Sequence, residues 1–193
     1  MKLSVIVTNY NKSEWLPPLL ETLKNQKNDE VEYIIIDDAS TDNSKEILDN
    51  LDRDIFKVIC HTENIGIGLT RQEGLDVSVG DYIAYIDGDD NIANNYIITL
   101  LKYVTQDYDV VQFPYQICPG GEIISDREFN YIWCKIFSRT FILRHNIKFK
   151  DIGIGEDYFF NADVDSKIPK YKRLQEPVLY FYNTLSISLT RSE

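Results

Sequence analysis

Short apolar runs alternate with helical patterns along the first half of the chain. Residues 3–8, LSVIVT, read as a strand. The segment after it places Leu16, Leu19, Leu20 and Leu23 on one helical face, with Ser13 as the expected N-cap and Pro17-Pro18 near the opening turn. YIIID (33–37) reads as a second strand and leads into a capped helix over ASTDNSKEILDNL. FKVICH (56–61), a helix around 68–78 and YIAYID (82–87) continue the rhythm. Residues 94–104 are helical again, with Tyr96, Ile97, Leu100, Leu101 and Val104 on one face. Strand and helix alternating in this way predict an α/β fold, a mostly parallel sheet with helices on both faces.

The second half is less regular. A strand is expected over 109–113, a turn at CPGGEIIS leading into another, a helix from Ser138 to about His145, and a strand over 177–183. No linker composition marks the change of pattern near residue 105. The expectation is therefore one domain over 1–193, built from halves 1–105 and 106–193.

Charge sharpens this division. The 193 residues carry a net charge of −11. Residues 1–100 hold 8 Lys and Arg against 19 Asp and Glu, whereas 101–193 hold 12 of each. An acidic chain is a poor partner for nucleic acid. Lys167, Lys170, Lys172 and Arg173 form a basic cluster with two readings: a solvated loop, or contact with an anionic membrane surface or lipid phosphate. No apolar run approaches the roughly 18 residues of a membrane span. The opening MKLSVIVTNYNK does not read as a signal peptide, because Thr8, Asn9 and Asn11 interrupt a short apolar run. Cys60, Cys118 and Cys134 offer no metal or redox spacing, which fits a reducing, cytoplasmic setting.

The candidate chemistry sits at the carboxyl ends of the predicted strands, where open parallel sheets bind ligands. The first ends in Thr8-Asn9-Tyr10-Asn11, the second in Asp37-Asp38, and the fourth in Asp87-Gly88-Asp89-Asp90. Three crowded carboxylates repel one another unless positive charge lies between them. An EF-hand loop does not fit, since Ile92 and Ile98 occupy the glycine and bidentate-glutamate positions. An aspartate-phosphatase loop would carry Thr or Val where Asn91 stands, and would lie on the first strand. A divalent cation held by one or two carboxylates and completed by substrate phosphates fits best. Arg71, early in a helix after a strand, could reach phosphate oxygens, orient a carboxylate, or simply be a solvated surface arginine. In GIGED (153–157), Glu156 and Asp157 precede Tyr158, Phe159 and Phe160. A carboxylate beside aromatic groups can be desolvated and kept basic, and first-turn acidic residues also suit a helix dipole.

Six stretches now fall into place: SVIVTNYNKSEWL, IIIDDASTDNS, NIGIGLTRQEGL, GDYIAYIDGDD, WCKIFSR and GIGED, over roughly 3–160. In order and spacing the chain resembles glycosyltransferase family 2, inverting nucleotide-sugar-dependent enzymes of GT-A fold with a smaller acceptor lobe. The resemblance implies that 1–105 binds a nucleotide-diphosphate sugar through Thr8, Tyr10, Asn11, Asp38, Arg71, Asp87 and Asp89. Tyr10 would stack on the base, and Asp38 would accept a hydrogen bond from it. It implies Mg²⁺ or Mn²⁺ at Asp89 and Asp90, with Asp90 the direct ligand, and Asp157 as general base. Trp133, Lys135 and Glu156 would then serve a saccharide or lipid-linked saccharide acceptor, in surface polysaccharide or glycoconjugate synthesis at the cytoplasmic side. Where the family often has a histidine or arginine near the end, this chain has Asn183. The alternative class is a non-catalytic nucleotide-sugar-binding module or partner subunit of the same fold.

Overall fold

The computed structural model describes residues 2–125 and 131–186. In chain order the elements are β1 (Leu3–Asn9), α1 (Leu16–Lys24), β2 (Val31–Asp37), α2 (Ser44–Asp49), β3 (Phe56–Cys60), α3 (Ile67–Val77), β4 (Tyr82–Asp87) and β5 (Asn91–Ile92). They continue with α4 (Tyr96–Leu101), β6 (Val110–Gln112), β7 (Tyr115–Cys118), β8 (Ile123–Ile124), β9 (Lys135–Ser138), α5 (Arg139–Arg144), α6 (Glu156–Asp165), β10 (Tyr171–Arg173) and β11 (Tyr180–Asn183).

The main sheet has the order β10-β6-β9-β4-β1-β2-β3, and β4, β1, β2 and β3 run parallel. β9 is antiparallel to both β4 and β6, so the sheet is mixed at that point. Strands β6, β9 and β10, all from beyond residue 105, complete the same sheet as the first half. A second sheet, β5-β11-β7-β8, stands beside it and links the turn after β4 to the chain's later segments.

Alternation along the strands sorts the core into two layers. Leu3, Val5 and Val7 of β1 face one layer with Leu16, Leu19, Leu20 and Leu23 of α1, Leu48 of α2 and Tyr96 and Leu100 of α4. Ile6 faces the other, with Leu75 of α3, Phe141 of α5 and Phe160 and Val164 of α6. Every residue of β1 is buried, as a central parallel strand covered on both faces must be. The expected helices on both faces are therefore present.

Three local expectations differ from the structure. The helix expected within 39–51 spans only Ser44–Asp49, and its N-cap Asn43 makes no side-chain cap bond. Ser13 does not cap α1; its backbone N–H donates to Asp42 Oδ2 at 2.8 Å, and Trp15 holds the N-cap position. Pro17 and Pro18 carry no N–H in the first turn, so α1 has fewer amides to cap. The fourth helix spans only Tyr96–Leu101, because the chain turns at 102–105. Among the described residues no helix is long and apolar enough to cross a membrane. The basic cluster lies around edge strand β10, where Lys170 pairs with Asp107 at 3.3 Å.

Candidate active site

Parallel register brings the polar strand ends together: Thr8 lies opposite Asp87, and Asn9 opposite Asp37. The turn after β4 passes tightly against the end of β1. Gly88 N–H donates to the Thr8 carbonyl at 2.9 Å, and a Cβ on Gly88 would stand 2.9 Å from Asn9 Oδ1. A glycine is what lets the acidic turn sit there.

The three crowded aspartates have three different environments. Asp87 Oδ1 accepts from an Arg71 NH2 group at 2.6 Å and from the Thr8 hydroxyl at 3.4 Å. Asp89 Oδ2 pairs with the Lys12 ammonium at 2.8 Å and accepts from the Ser186 hydroxyl at 2.5 Å. Asp90 is buried, and both its oxygens are engaged: Oδ2 by the Tyr180 hydroxyl at 2.6 Å, Oδ1 by the Asn183 backbone N–H at 2.7 Å. Burial, then the charges of Asp87 and Asp89, hold the Asp90 carboxyl well above the usual range. The protein thus supplies two cations of its own here, Arg71 and Lys12.

Asp90→Asn should cost stability. An amide cannot accept from both Tyr180 and Asn183 as the carboxyl group does, and Tyr180 also receives the Asp87 backbone N–H at 3.2 Å. Leaving one buried group unsatisfied costs about 1–3 kcal/mol. Thermal melting reads this directly; an unchanged midpoint would show the network to be energetically silent.

The second acidic pair opens α6. Gly155, at φ 91°, takes the left-handed N-cap position, and Glu156 and Asp157 form the first turn. Both bind Arg71, which projects from α3 and is itself buried: Glu156 Oε1 lies 2.5 Å from the guanidinium, and Asp157 Oδ1 is in direct contact with the same NH1. Asp157 Oδ2 also accepts the Ile132 backbone N–H at 3.3 Å. One cation therefore serves three carboxylates: Asp87, Glu156 and Asp157. Burial opposes charge on Arg71, but these three carboxylates outweigh it and hold the guanidinium protonated. Asp157 is pushed up to about 7 by burial, against the pull of Arg71 and with the push of Asp87 and Glu156. That is a value suited to exchanging a proton near neutrality.

Of the residues expected on the donor side, Tyr10 is 43% exposed. Asp38 is buried and already accepts three hydrogen bonds, from His61 Nδ1, Ile65 N–H and Gly66 N–H. Asn11, in the left-handed region at φ 54°, spends its side-chain oxygen on the Thr41 and Asp42 amides. It clasps two loops together. Arg71 reaches the end of β4, as expected, with its terminal nitrogens occupied by carboxylates.

The acceptor side differs more from expectation. Trp133 is 2% exposed, stacked between Tyr131 (ring centroids 4.7 Å apart) and Tyr180 (4.5 Å). Lys135 is equally buried, and its ammonium donates to Asn161 Oδ1 at 2.6 Å. Both build the floor beneath the site. Exposed aromatics there are Tyr131, next in the chain to the amide that holds Asp157, and Tyr158 and Phe159, which follow Asp157. Glu156 is buried against Arg71.

Several partners have no local signal in the sequence. Tyr180 and Ser186 meet Asp90 and Asp89 from about ninety residues away, and His61 joins Asp38 only through the β2–β3 pairing. Lys12 was legible in principle, since it follows the polar end of β1. Among the described residues no three His, Cys, Asp or Glu side chains gather as a metal cage. Asp89 nevertheless keeps Oδ1 without a hydrogen bond among the described residues, a hard oxygen donor of the kind Mg²⁺ and Mn²⁺ take alongside substrate phosphates.

Comparison with known proteins agrees with this geometry. The family model described as glycosyl transferase family 2 matches residues 4–172. EpsH of Bacillus subtilis is 30% identical over 187 residues, covering 82% of this chain and 54% of that protein. The chain thus spans about half the length of this curated relative. The crystal structure of Staphylococcus aureus TarS 1–349 in complex with UDP-GlcNAc superposes with a TM-score of 0.89 at 21% identity, over 100% of this chain and 61% of that one. The mannosyltransferase PcManGT from Pyrobaculum calidifontis, in complex with GDP-Man and Mn²⁺, gives 0.73 at 16% identity, over 92% and 56%. With its acidic strand ends, its two-layered mixed sheet and this match over most of its length, the chain belongs to glycosyltransferase family 2 and has the GT-A fold.

Proposed function

We propose that this chain moves a sugar from a nucleotide-diphosphate sugar to an acceptor hydroxyl by single displacement with inversion. The observation that carries the reading is Asp157, a half-buried carboxylate held by Arg71 and by the amide of Ile132, next to the exposed Tyr131, and pushed up to about 7 by burial. Its non-protonated form would take the proton of the attacking hydroxyl, so no enzyme nucleophile is needed. Arg71 orients that carboxylate and couples it to Asp87 at the donor strand. Tyr10 and Asp38 would hold the base, and Thr8 and Asp87 would border the ribose and diphosphate. A non-catalytic binding module has no use for a carboxylate tuned in this way.

The acidic turn is suited to Mg²⁺ or Mn²⁺, with Asp89 as the better-placed ligand and Asp90, engaged on both oxygens, supporting the turn. Bound there, such an ion supplies positive charge opposite the leaving diphosphate. PcManGT, with Mn²⁺ and GDP-Man, and TarS, with UDP-GlcNAc, motivate the choice of probes. Incubation with UDP- and GDP-sugars, Mn²⁺ and a panel of saccharide and lipid-linked saccharide acceptors, followed by mass spectrometry, tests the activity. Acceptor-dependent release of nucleoside diphosphate with a new glycoside is expected; tight donor binding with no glycosidic product would favour the binding module.

Lys12 gives a separate check on the metal. Its ammonium lies on the carboxylate that would receive the ion, so the two compete. Lys12→Met should raise the affinity of the nucleotide-free chain for Mn²⁺ by roughly three- to tenfold, as like charges a few ångströms apart in a screened setting imply. Electron paramagnetic resonance of free Mn²⁺ measures it. Equal affinities would remove Asp89 from the ligand set.

A further inference from the structure

His61 follows β3 and points its ring between two carboxylates. Nδ1 lies 2.8 Å from Asp38 Oδ1, and Nε2 lies 2.6 Å from Glu73 Oε2 on α3. An ionised carboxylate only accepts hydrogen bonds, so both ring nitrogens must donate, and the geometry describes an imidazolium. Burial alone would drive the ring towards neutrality, but the hydrogen bonds and charges of Asp38 and Glu73 outweigh it and raise its pKa.

The consequence lies at Asp38. Its Oδ1 accepts from His61 and from the Ile65 N–H at 2.8 Å, which fills both lone pairs of that oxygen. Its Oδ2 accepts the Gly66 N–H at 2.9 Å, and its own carbonyl receives the Asn64 side-chain amide at 3.1 Å. The loop from 61 to 66 is thus wrapped around one carboxylate, and that loop ends at the N-cap of α3, the helix that carries Arg71. Of the four acceptor positions on the Asp38 carboxylate, one, on Oδ2, has no partner among the described residues.

We infer that the Glu73–His61–Asp38 chain is a positioning device for the donor nucleobase: the imidazolium turns Asp38 so that a single oxygen position is left to receive one N–H of the base. The inference rests on the reading of Asp38 as the base contact. It makes His61 a positioning residue, acting through Asp38 without touching substrate. A carboxylate with one open acceptor position and no donor matches a base edge that offers an imide N–H, as uracil and thymine do. The cytosine ring nitrogen at that edge only accepts, so cytosine could reach this oxygen only through its exocyclic amino group, displaced from the imide position.

The test begins with calorimetry of UDP, dTDP, CDP, GDP and ADP on the full chain, and continues with the tightest binder. UDP or dTDP is expected to bind best, and preference for CDP overturns the inference. His61→Leu should weaken that nucleotide about tenfold and raise the donor KM similarly, while kcat at saturating donor stays within about threefold. His61→Asn, whose side-chain amide can still donate to Asp38, should recover most of the affinity. Glu73→Gln, which acts on Asp38 only through the ring, should weaken binding by about two- to fivefold. A structural role alone would lower kcat and the melting midpoint without this KM split, and no rescue by asparagine would overturn the proposal. Asp38→Asn separates the underlying reading: if it binds as wild type, the base contact itself is wrong. If it loses binding while His61→Leu does not, only the role of His61 falls.

Discussion

Asp157→Asn is expected to lower the rate of sugar transfer by about 10²–10⁴-fold, the usual contribution of a positioned proton acceptor. The amide keeps the size of the side chain and can still accept the Ile132 N–H or face Arg71, but it cannot take a proton. Nucleotide binding should barely change, since the residues proposed to hold the nucleotide are Tyr10, Asp38 and the β4 turn. The pH profile gives an independent signature. Wild-type kcat/KM should fall about tenfold per unit below an apparent pKa near 7, where the carboxylate takes up its proton, and the variant should lack that limb. Stability carries the opposite sign. A carboxyl raised from 3.8 to about 7 binds its proton more tightly in the folded chain, so its contribution is full below 3.8 and is lost as pH rises through 7. Relative to wild type, Asp157→Asn should therefore melt more favourably at pH 8 than at pH 5. Near-normal transfer in this variant would move the base elsewhere.

The largest stability effect should come from Arg71→Met. The guanidinium is buried and is the shared partner of Asp87, Glu156 and Asp157, which project from β4 and α6. Removing one partner of a buried ion network costs about 3–5 kcal/mol, because the charges left behind lose their counter-ion and are only partly reached by water. The three carboxylates would then raise one another's pKa, so the loss should shrink as pH is lowered and their protons return. Urea unfolding at pH 8 and pH 5 measures both. Adding Asp87→Asn to Arg71→Met should recover part of the loss at pH 8. Equal stability of Arg71→Met and wild type at both pH values would show that solvent, and not Arg71, balances the cluster.

These two effects share an origin. Among the described residues, folding brings five carboxylates, Asp87, Asp89, Asp90, Glu156 and Asp157, together with two cations, Arg71 and Lys12, that pair with four of them. Burial first, and then the neighbouring carboxylates, hold the Asp90 and Asp157 carboxyls above their usual range. Single charge changes here should therefore act on stability and on the proposed transfer together.

The alternation of apolar runs with helical faces was enough to predict the parallel β1–β4 array and helices on both sides of it, because a strand covered on two faces must be apolar throughout and a helix lying on a sheet needs only one apolar stripe. The acidic turn after β4 and the GIGED turn were also legible, since carboxylates beside glycines at strand and helix ends are local features. Contacts between distant segments were beyond such reading. The antiparallel insertion of β9 between β4 and β6 depends on pairing across some fifty residues, and it turns Trp133 and Lys135 into a buried floor. Likewise the position of Asp90 depends on Tyr180, that of Asp89 on Lys12 and Ser186, and that of Asp38 on His61. Residue type and spacing along the chain announce that a carboxylate stands at a strand end. Whether it faces a metal ion, a guanidinium or a buried hydroxyl is decided by which distant strand packs beside it, and that belongs to the tertiary structure alone.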